Sequence, residues 1–312
     1  MIKLRNFILK QVFVVCFLFS VLPNTSDGQP KFLEPSLQYN PDRLKSVVLS
    51  EVVGGILVST GLYFLWYRKH PHTNFHFFND NAEWLQMDKL GHLTTAYNIA
   101  AVQYDLMRWC GVNNDASIAV GSLTALGYMS IIEVLDGFSS KWGFSPGDML
   151  ANIAGTALFA AQQKWWNGQR VAVKFSYHST IYPAYYPEEL GSNWISRILK
   201  DYNGQTYWFS LNIKSFLPAK SDFPAWLNMS AGYGAEGMIG ARSNPQTYKG
   251  QPIPSFPRYR QFYLAPDVDF LRVPSYSGFF NTSAYITRFI KVPAPALEWN
   301  TLKGLKFHPL YF

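Results

Sequence analysis

Between Asp88 and Gly155 the polar residues are few and evenly placed, and their types are those of a reactive or ligand-holding site. They fall in four groups: Asp88-Lys89-Leu90-Gly91-His92, Glu133 with Asp136-Gly137, Ser145-Pro146-Gly147-Asp148, and Asn152 with Gly155. Asp88 and His92 are four residues apart, as are Asp148 and Asn152, so on helices each pair shares a face. Glu133 is the one charge in the apolar run from Ala116 to Leu135. Carboxylates beside a histidine can hold a divalent cation or run acid–base chemistry, with the imidazole tuned by its neighbours. The candidate site is therefore Asp88, His92, Glu133, Asp148 and Asn152, with Asn152 orienting a ligand or a carboxylate. Each residue also has a structural reading. Asp148 falls at N3 of its helix, where the free N–H groups favour a carboxylate. Asp136 precedes a turn glycine, Lys89 can pair with a carboxylate, and His92 can satisfy a buried hydrogen bond.

The elements that would carry these residues are helices. Asp80 and Glu83 have the spacing of a capping box, so a helix is expected to run through Asp88 and His92 to about Trp109, stopped by Cys110-Gly111. A second is expected over about Ala116 to Leu135, with Gly121, Ala125 and Gly127 offering small contact surfaces. A third starts at Ser145 as N-cap with Pro146 at N1 and runs to about Trp165-Trp166. Ahead of them, residues 46–67 are mostly apolar, with Arg43 and Lys45 before and Arg68 and Lys69 after. That stretch reads equally as a membrane-spanning helix or as a buried bundle helix lowered in hydropathy by Glu51. His70, His72 and His76 have the type of a metal cluster, but loop histidines among aromatics are usually only that.

From Arg170 onward the period changes. Val171–Tyr177, Thr206–Leu217, Trp226–Ala235, Arg260–Val273 and Lys303–Phe312 have β composition. Residues 276–291 read as a short amphipathic helix, and 192–199 as another. The recurring Tyr, Trp and Phe and the terminal Phe312 are traits that outer-membrane β proteins share, although five strands are too few for a complete barrel.

Composition narrows the setting. Of 312 residues, charged ones are 15% and aromatics 17%, low and high for a cytosolic protein. Lys3, Arg5 and Lys10 precede the apolar Val12–Leu22, and Ser26-Asp27-Gly28 supplies small residues for cleavage before Gln29, the pattern of a secretory signal. Cleavage there removes three basic residues and one acidic, taking the net charge from +7 to +5. Without a dense Lys/Arg block, nucleic-acid binding is not expected. Cys16 is a lipobox candidate with a bulky Val15 before it. Once the signal is removed Cys110 stands alone, so no intramolecular disulfide can form.

The pieces Asp88-Lys89 with His92, Glu133 in the next helix, and Asp148, Asn152 and Gly155 resemble the YfiM-like family of periplasmic lipoproteins, a domain of unknown function. They resemble more distantly the VanZ-like membrane proteins, whose glutamine and arginine find no match here. The resemblance covers roughly residues 80 to 165. Beyond it, Tyr202 to Trp208 and Lys306 to Phe312 look like longer versions of the family from Gram-negative bacteria. The resemblance implies no reaction.

The expected organisation is α+β: a signal peptide at 1–28, an extended lead-in at 29–45, a helical YfiM-like domain at 46–167 forming a bundle of about four helices, and a β-rich region of antiparallel strands at 168–312. The expected function is a membrane-associated cell-envelope protein, exported, in the outer membrane or periplasm rather than the inner membrane. Its role is structural or partner-binding, toward membrane lipid or another envelope component. The alternative is an enzyme acting on an envelope lipid or cell-wall precursor through the polar patch. No cofactor is expected, although the donor set would accept a divalent metal.

Overall fold

In a computed structural model, residues 33–68, 70–275 and 277–312 are described. The signal peptide and Cys16 lie outside them. The first helix, α1, is Pro41–Leu62, extended by a wider turn over Tyr63–Tyr67. It starts inside the expected lead-in because Asn40 caps it, accepting from the Asp42 and Arg43 amides, with Pro41 at the first helical position. Its early turns pack Val47 and Leu44 against Met107 and Cys110. Beyond them its apolar side chains are exposed.

Three helices follow and pack on one another: α2 (Met87–Trp109), α3 (Asn114–Gly137) and α4 (Pro146–Trp166). Of the expected bundle of about four helices, these three pack closely, while α1 joins them through its early turns, where Val47 is its buried residue, and at Tyr67. Glycines set how closely the three approach. A Cβ on Gly155 of α4 would lie 2.1 Å from the Leu93 carbonyl oxygen of α2, and one on Gly121 of α3 2.6 Å from that of Ala100. Gly127, expected to share this role, faces open space. Asn113 caps α3, and Ser145 caps α4 ahead of Pro146. The expected capping box at the start of α2 does not form. Trp84, Leu85 and Gln86 adopt positive φ and separate Asp80 from the helix, so both of its acids are released to other partners.

The second half is an antiparallel sheet of six strands in the order β1 (Val171–Tyr177), β2 (Gln205–Asn212), β3 (Leu227–Glu236), β6 (Tyr259–Val268), β7 (Ala294–Asn300) and β8 (Gly304–Tyr311). Short helices α5 (Pro187–Leu190) and α6 (Trp194–Lys200) join β1 to β2. A two-residue pair, β4 (Thr247–Tyr248) with β5 (Gln251–Pro252), lies between β3 and β6. Helix α7 (Gly278–Thr287) precedes β7. Residues Leu33–Phe312 form one unit with α+β architecture. Two expected strands end early, in 3-10 turns at Ile213–Phe216 and Phe270–Arg272 capped by Asn212 and Asp269. The sheet lies against α2: Tyr207 is buried beside Gly91, and Val173 and Phe209 pack with Tyr97 and Phe159.

Candidate functional site

The three bundle helices bring all five sequence-predicted residues together. His92 on α2 places Nδ1 3.2 Å from the Asn152 Oδ1 on α4 and 3.3 Å from the Glu133 Oε1 on α3. Its Nε2 is 3.9 Å from Asp148 Oδ1. Asp88 lies at the rim, accepting a hydrogen bond from the Tyr202 hydroxyl. Glu133, Asp148 and Asn152 are buried. Glu133 also accepts from the Ser145 amide at 3.3 Å, which ties α3 to the cap of α4.

Three further members, Lys89, Asp80 and Tyr202, were not among the sequence-predicted site residues. Lys89 Nζ lies 2.6 Å from Asp80 Oδ1 and 2.7 Å from Asp148 Oδ1, with Asp88 farther off at 3.8 Å. Asp80 also accepts from the Ser145 hydroxyl at 2.6 Å. Lys89 was assigned only a pairing role, and Asp80 a cap; the spacing of the capping motif concealed the second. Tyr202 is the third addition. Its only sequence signal was the Tyr202 to Trp208 motif, which puts Tyr202 on Asp88 and Tyr207 against Gly91. Asp136 accepts from the Tyr67 hydroxyl at 2.7 Å, fastening the end of α1 to α3. The His76 ring meets the Asn74 carbonyl at 3.2 Å and packs against Gly143, while its backbone bonds Gly137 and Phe144.

The electrostatics follow from an excess of acid. Asp80, Asp88, Glu133, Asp136 and Asp148 face Lys89 and His92. Burial, the Asp88 charge and a hydrogen bond with Asp80 push Asp148 up to about 8, against the pull of His92 and Lys89. Burial would raise Asp80 too, but hydrogen bonds from Asp148, Lys89 and Ser145 outweigh it and hold Asp80 below the usual range. Of the two carboxyls, Asp148 is the one pushed toward its protonated form, while Asp80 is held toward the ionised one. Burial would lower His92, yet Asp88, Asp148 and Glu133 together raise it. Lys89 is raised by the same balance, with Asp148 the main attraction. One ligand atom each from Asp88, His92 and Asp148 lies within 4.8 Å of the others, near enough to share a small cation. The Lys89 ammonium already supplies positive charge to Asp148 from one side.

These shifts predict how stability depends on pH. Asp148 is protonated in the fold and ionised in the unfolded chain between about pH 4 and 8, so stability falls as pH rises through that window. His92 has the same sign: its contribution is full below 6.5 and lost as pH rises through its raised value. Asp80 acts the other way, but only below about pH 4. The melting temperature is expected to fall from pH 5 to pH 9. Asp148→Asn, neutral throughout, should flatten that slope and melt above the parent at pH 9. Parallel melting curves of the two proteins across the range would mean that Asp148 is not raised in the fold.

Fold and site define an α+β protein in which three helices are fastened to one another, and to the turn that leads into β2, by a largely buried ion cluster. Residues 76–163 match the family described as “Predicted periplasmic lipoprotein (DUF2279)”. That stretch holds the whole cluster except Tyr202, and its description is that of an exported, envelope-associated protein. No curated protein and no solved structure matches the chain.

Proposed function

We propose that the chain is a membrane-associated envelope protein with a structural or partner-binding role, in which the polar cluster is a lock rather than a reaction centre. The observation that carries this reading is the place of Lys89. Its ammonium is held between Asp80 and Asp148 at 2.6 and 2.7 Å, and so occupies the Asp148 oxygen that a bound cation or substrate group would need. Partners of a surface so apolar are membrane lipid or another envelope component. Helix α1 supports the membrane part: its 22 residues make about 33 Å of helix, the thickness of a bilayer core, with an exposed apolar surface.

A second reading, an enzyme acting on an envelope lipid or cell-wall precursor, is favoured by one feature. Asp148, pushed up to about 8, lies next to His92, which is also raised, so two neighbouring groups titrate above their usual ranges in a poorly solvated site. His92→Gln separates the two. As a lock component it should lose about 1–2 kcal/mol of stability and keep rescue of a deletion strain, because glutamine can still bond Asn152. Glu133→Ala should cost more, since it frees the Ser145 amide and removes a His92 partner together. Abundance, melting and rescue are measured for both. Loss of rescue at unchanged abundance and melting would overturn the lock in favour of the enzyme, and metal content of the purified protein gives an independent check.

A further inference from the structure

The faces of the six-stranded sheet are inverted relative to those of a water-soluble protein. The face away from α2 carries buried polar and charged groups around the ring cluster of Trp208, Tyr263 and Tyr311. Lys174 Nζ is 2.7 Å from Asp267 Oδ2, with Lys291 3.7 Å from the other oxygen. Ser210 donates to Asp267 at 2.6 Å and Asn228 to Ser210 at 3.0 Å. Glu298 accepts from Asn300 and Gln261 and pairs with His308 at 2.5 Å.

The opposite face is apolar in whole rows. The register aligns Phe209, Ala231, Leu264, Leu297 and Phe307 in one row. The next row is Tyr207, Tyr233, Phe262, Trp299 and Leu305. At the β1–β2 side α2 covers this face. At the β6–β8 side it is open: Leu264 is 51% exposed, Trp299 50%, Leu305 68% and Phe307 63%.

We propose that the open outer face of β6, β7 and β8 is seated among phospholipid acyl chains. The proposal rests on the membrane-associated reading above and names the surface that makes the contact. Three observations choose lipid over a protein. Protein interfaces carry a hydrogen bond for roughly every 100–200 Å², and this patch offers no polar side-chain group but the Trp299 indole. Apolar side chains outward and polar ones inward is the alternation of strands that face lipid. The band also has a length and an end. On β6 it runs from Phe262 to Val268, about 20 Å. At the next outward position Arg260 bonds the Leu85 carbonyl and Gln86. Against a hydrocarbon core of about 30 Å the face is immersed rather than spanning.

The test uses the full chain with Cys16→Ser and Cys110→Ala, carrying an environment-sensitive dye at Leu264→Cys, Leu297→Cys or Leu305→Cys. The probe is vesicles of phosphatidylethanolamine and phosphatidylglycerol containing brominated acyl chains. Lys306→Cys, on the opposite face, and Leu57→Cys, on α1, are the reference sites. The three sheet labels should lose about half their emission to the bromines, while the Lys306→Cys label keeps its own. Quenching at Leu57→Cys without quenching at the sheet sites would overturn the proposal and leave the membrane-associated reading standing. No quenching anywhere would overturn both. Sheet labels already blue-shifted without lipid, and unchanged by it, would assign the face to a second copy of the chain and overturn the proposal. If a labelled variant fails to fold, bromine quenching lost on Trp299→Phe in the otherwise unaltered chain gives the same answer, and quenching that is unchanged overturns it.

Discussion

Lys89→Met is expected to cost about 3–5 kcal/mol of unfolding free energy, the range for breaking a buried ion pair from one side. For a chain of this size that is a fall of roughly 10 °C in melting temperature. Methionine keeps the length and most of the apolar stem, so packing changes little and the loss reports the charge. The ammonium is 14% exposed and its two closest carboxylates 13% and 6%, so water cannot take its place. The cost must depend on pH. Without Lys89 the Asp80–Asp148 pair can lower its charge only by taking up protons, which becomes harder as pH rises. The deficit should therefore be larger at pH 9 than at pH 5. Lys89→Arg is not expected to rescue it, because a Cβ on Gly147 would come within 2.9 Å of the Lys89 Cε and the site has no width for a guanidinium. Melting within 1 °C of the parent at pH 9 would mean that the ammonium is not the centre of the lock.

The helices that carry the cluster were legible because their signals are local. Ser145 and Pro146 start α4 where capping chemistry puts them, and the four-residue spacings of Asp88 with His92 and Asp148 with Asn152 place both pairs inward. What could not be read locally is which acid meets which base. Asp80 and Glu83 have capping spacing, yet positive φ at Trp84, Leu85 and Gln86 sends Asp80 to Lys89 and Glu83 to Arg242. The conformation there is fixed by tertiary contacts: Trp84 is buried with Met87 and Met238, and its amide bonds the Ala241 carbonyl.

The sheet was legible where its strands are apolar on the side that meets the helices, as in β1, whose bounds were expected as observed. Strand β7 was missed. Its sequence carries Pro295, and its buried positions include Glu298 and Asn300, so the usual sign of a strand, apolar in and polar out, is reversed. The same reversal hides the sheet's inner face from any reading that seeks a hydrophobic core. Helix α1 had the opposite problem. Its composition fits a buried helix and a lipid-facing helix equally, and past its early turns its apolar side chains are mostly exposed until Tyr67 reaches Asp136.

Gly155→Ala, a change that would help most helices, is expected to destabilise this one by about 2 kcal/mol. In an exposed helix the added methyl is worth up to about 1 kcal/mol in favour of folding. At Gly155 it would sit 2.1 Å from the Leu93 carbonyl oxygen, 2.9 Å from its carbon and 3.0 Å from its Cα, all backbone atoms that no rotamer change can move. The helices α2 and α4 must then separate. Leu93 is next to His92, so the separation lengthens the 3.2 Å contact from His92 to Asn152 and loosens Asp148 from Lys89. The packing fault and the lock fault are one event, and the Tm of Gly155→Ala should lose part of its dependence on pH as well as its height. Gly127→Ala on α3 is the matched reference: nothing lies within 4 Å of its added Cβ, so it should gain about 0.5–1 kcal/mol. The two variants make the same chemical change in helices of the same bundle and should differ by about 3 kcal/mol in opposite directions. Equal melting temperatures for them would mean that α2 and α4 have room between them, and that the cluster is held by its charges without help from close approach.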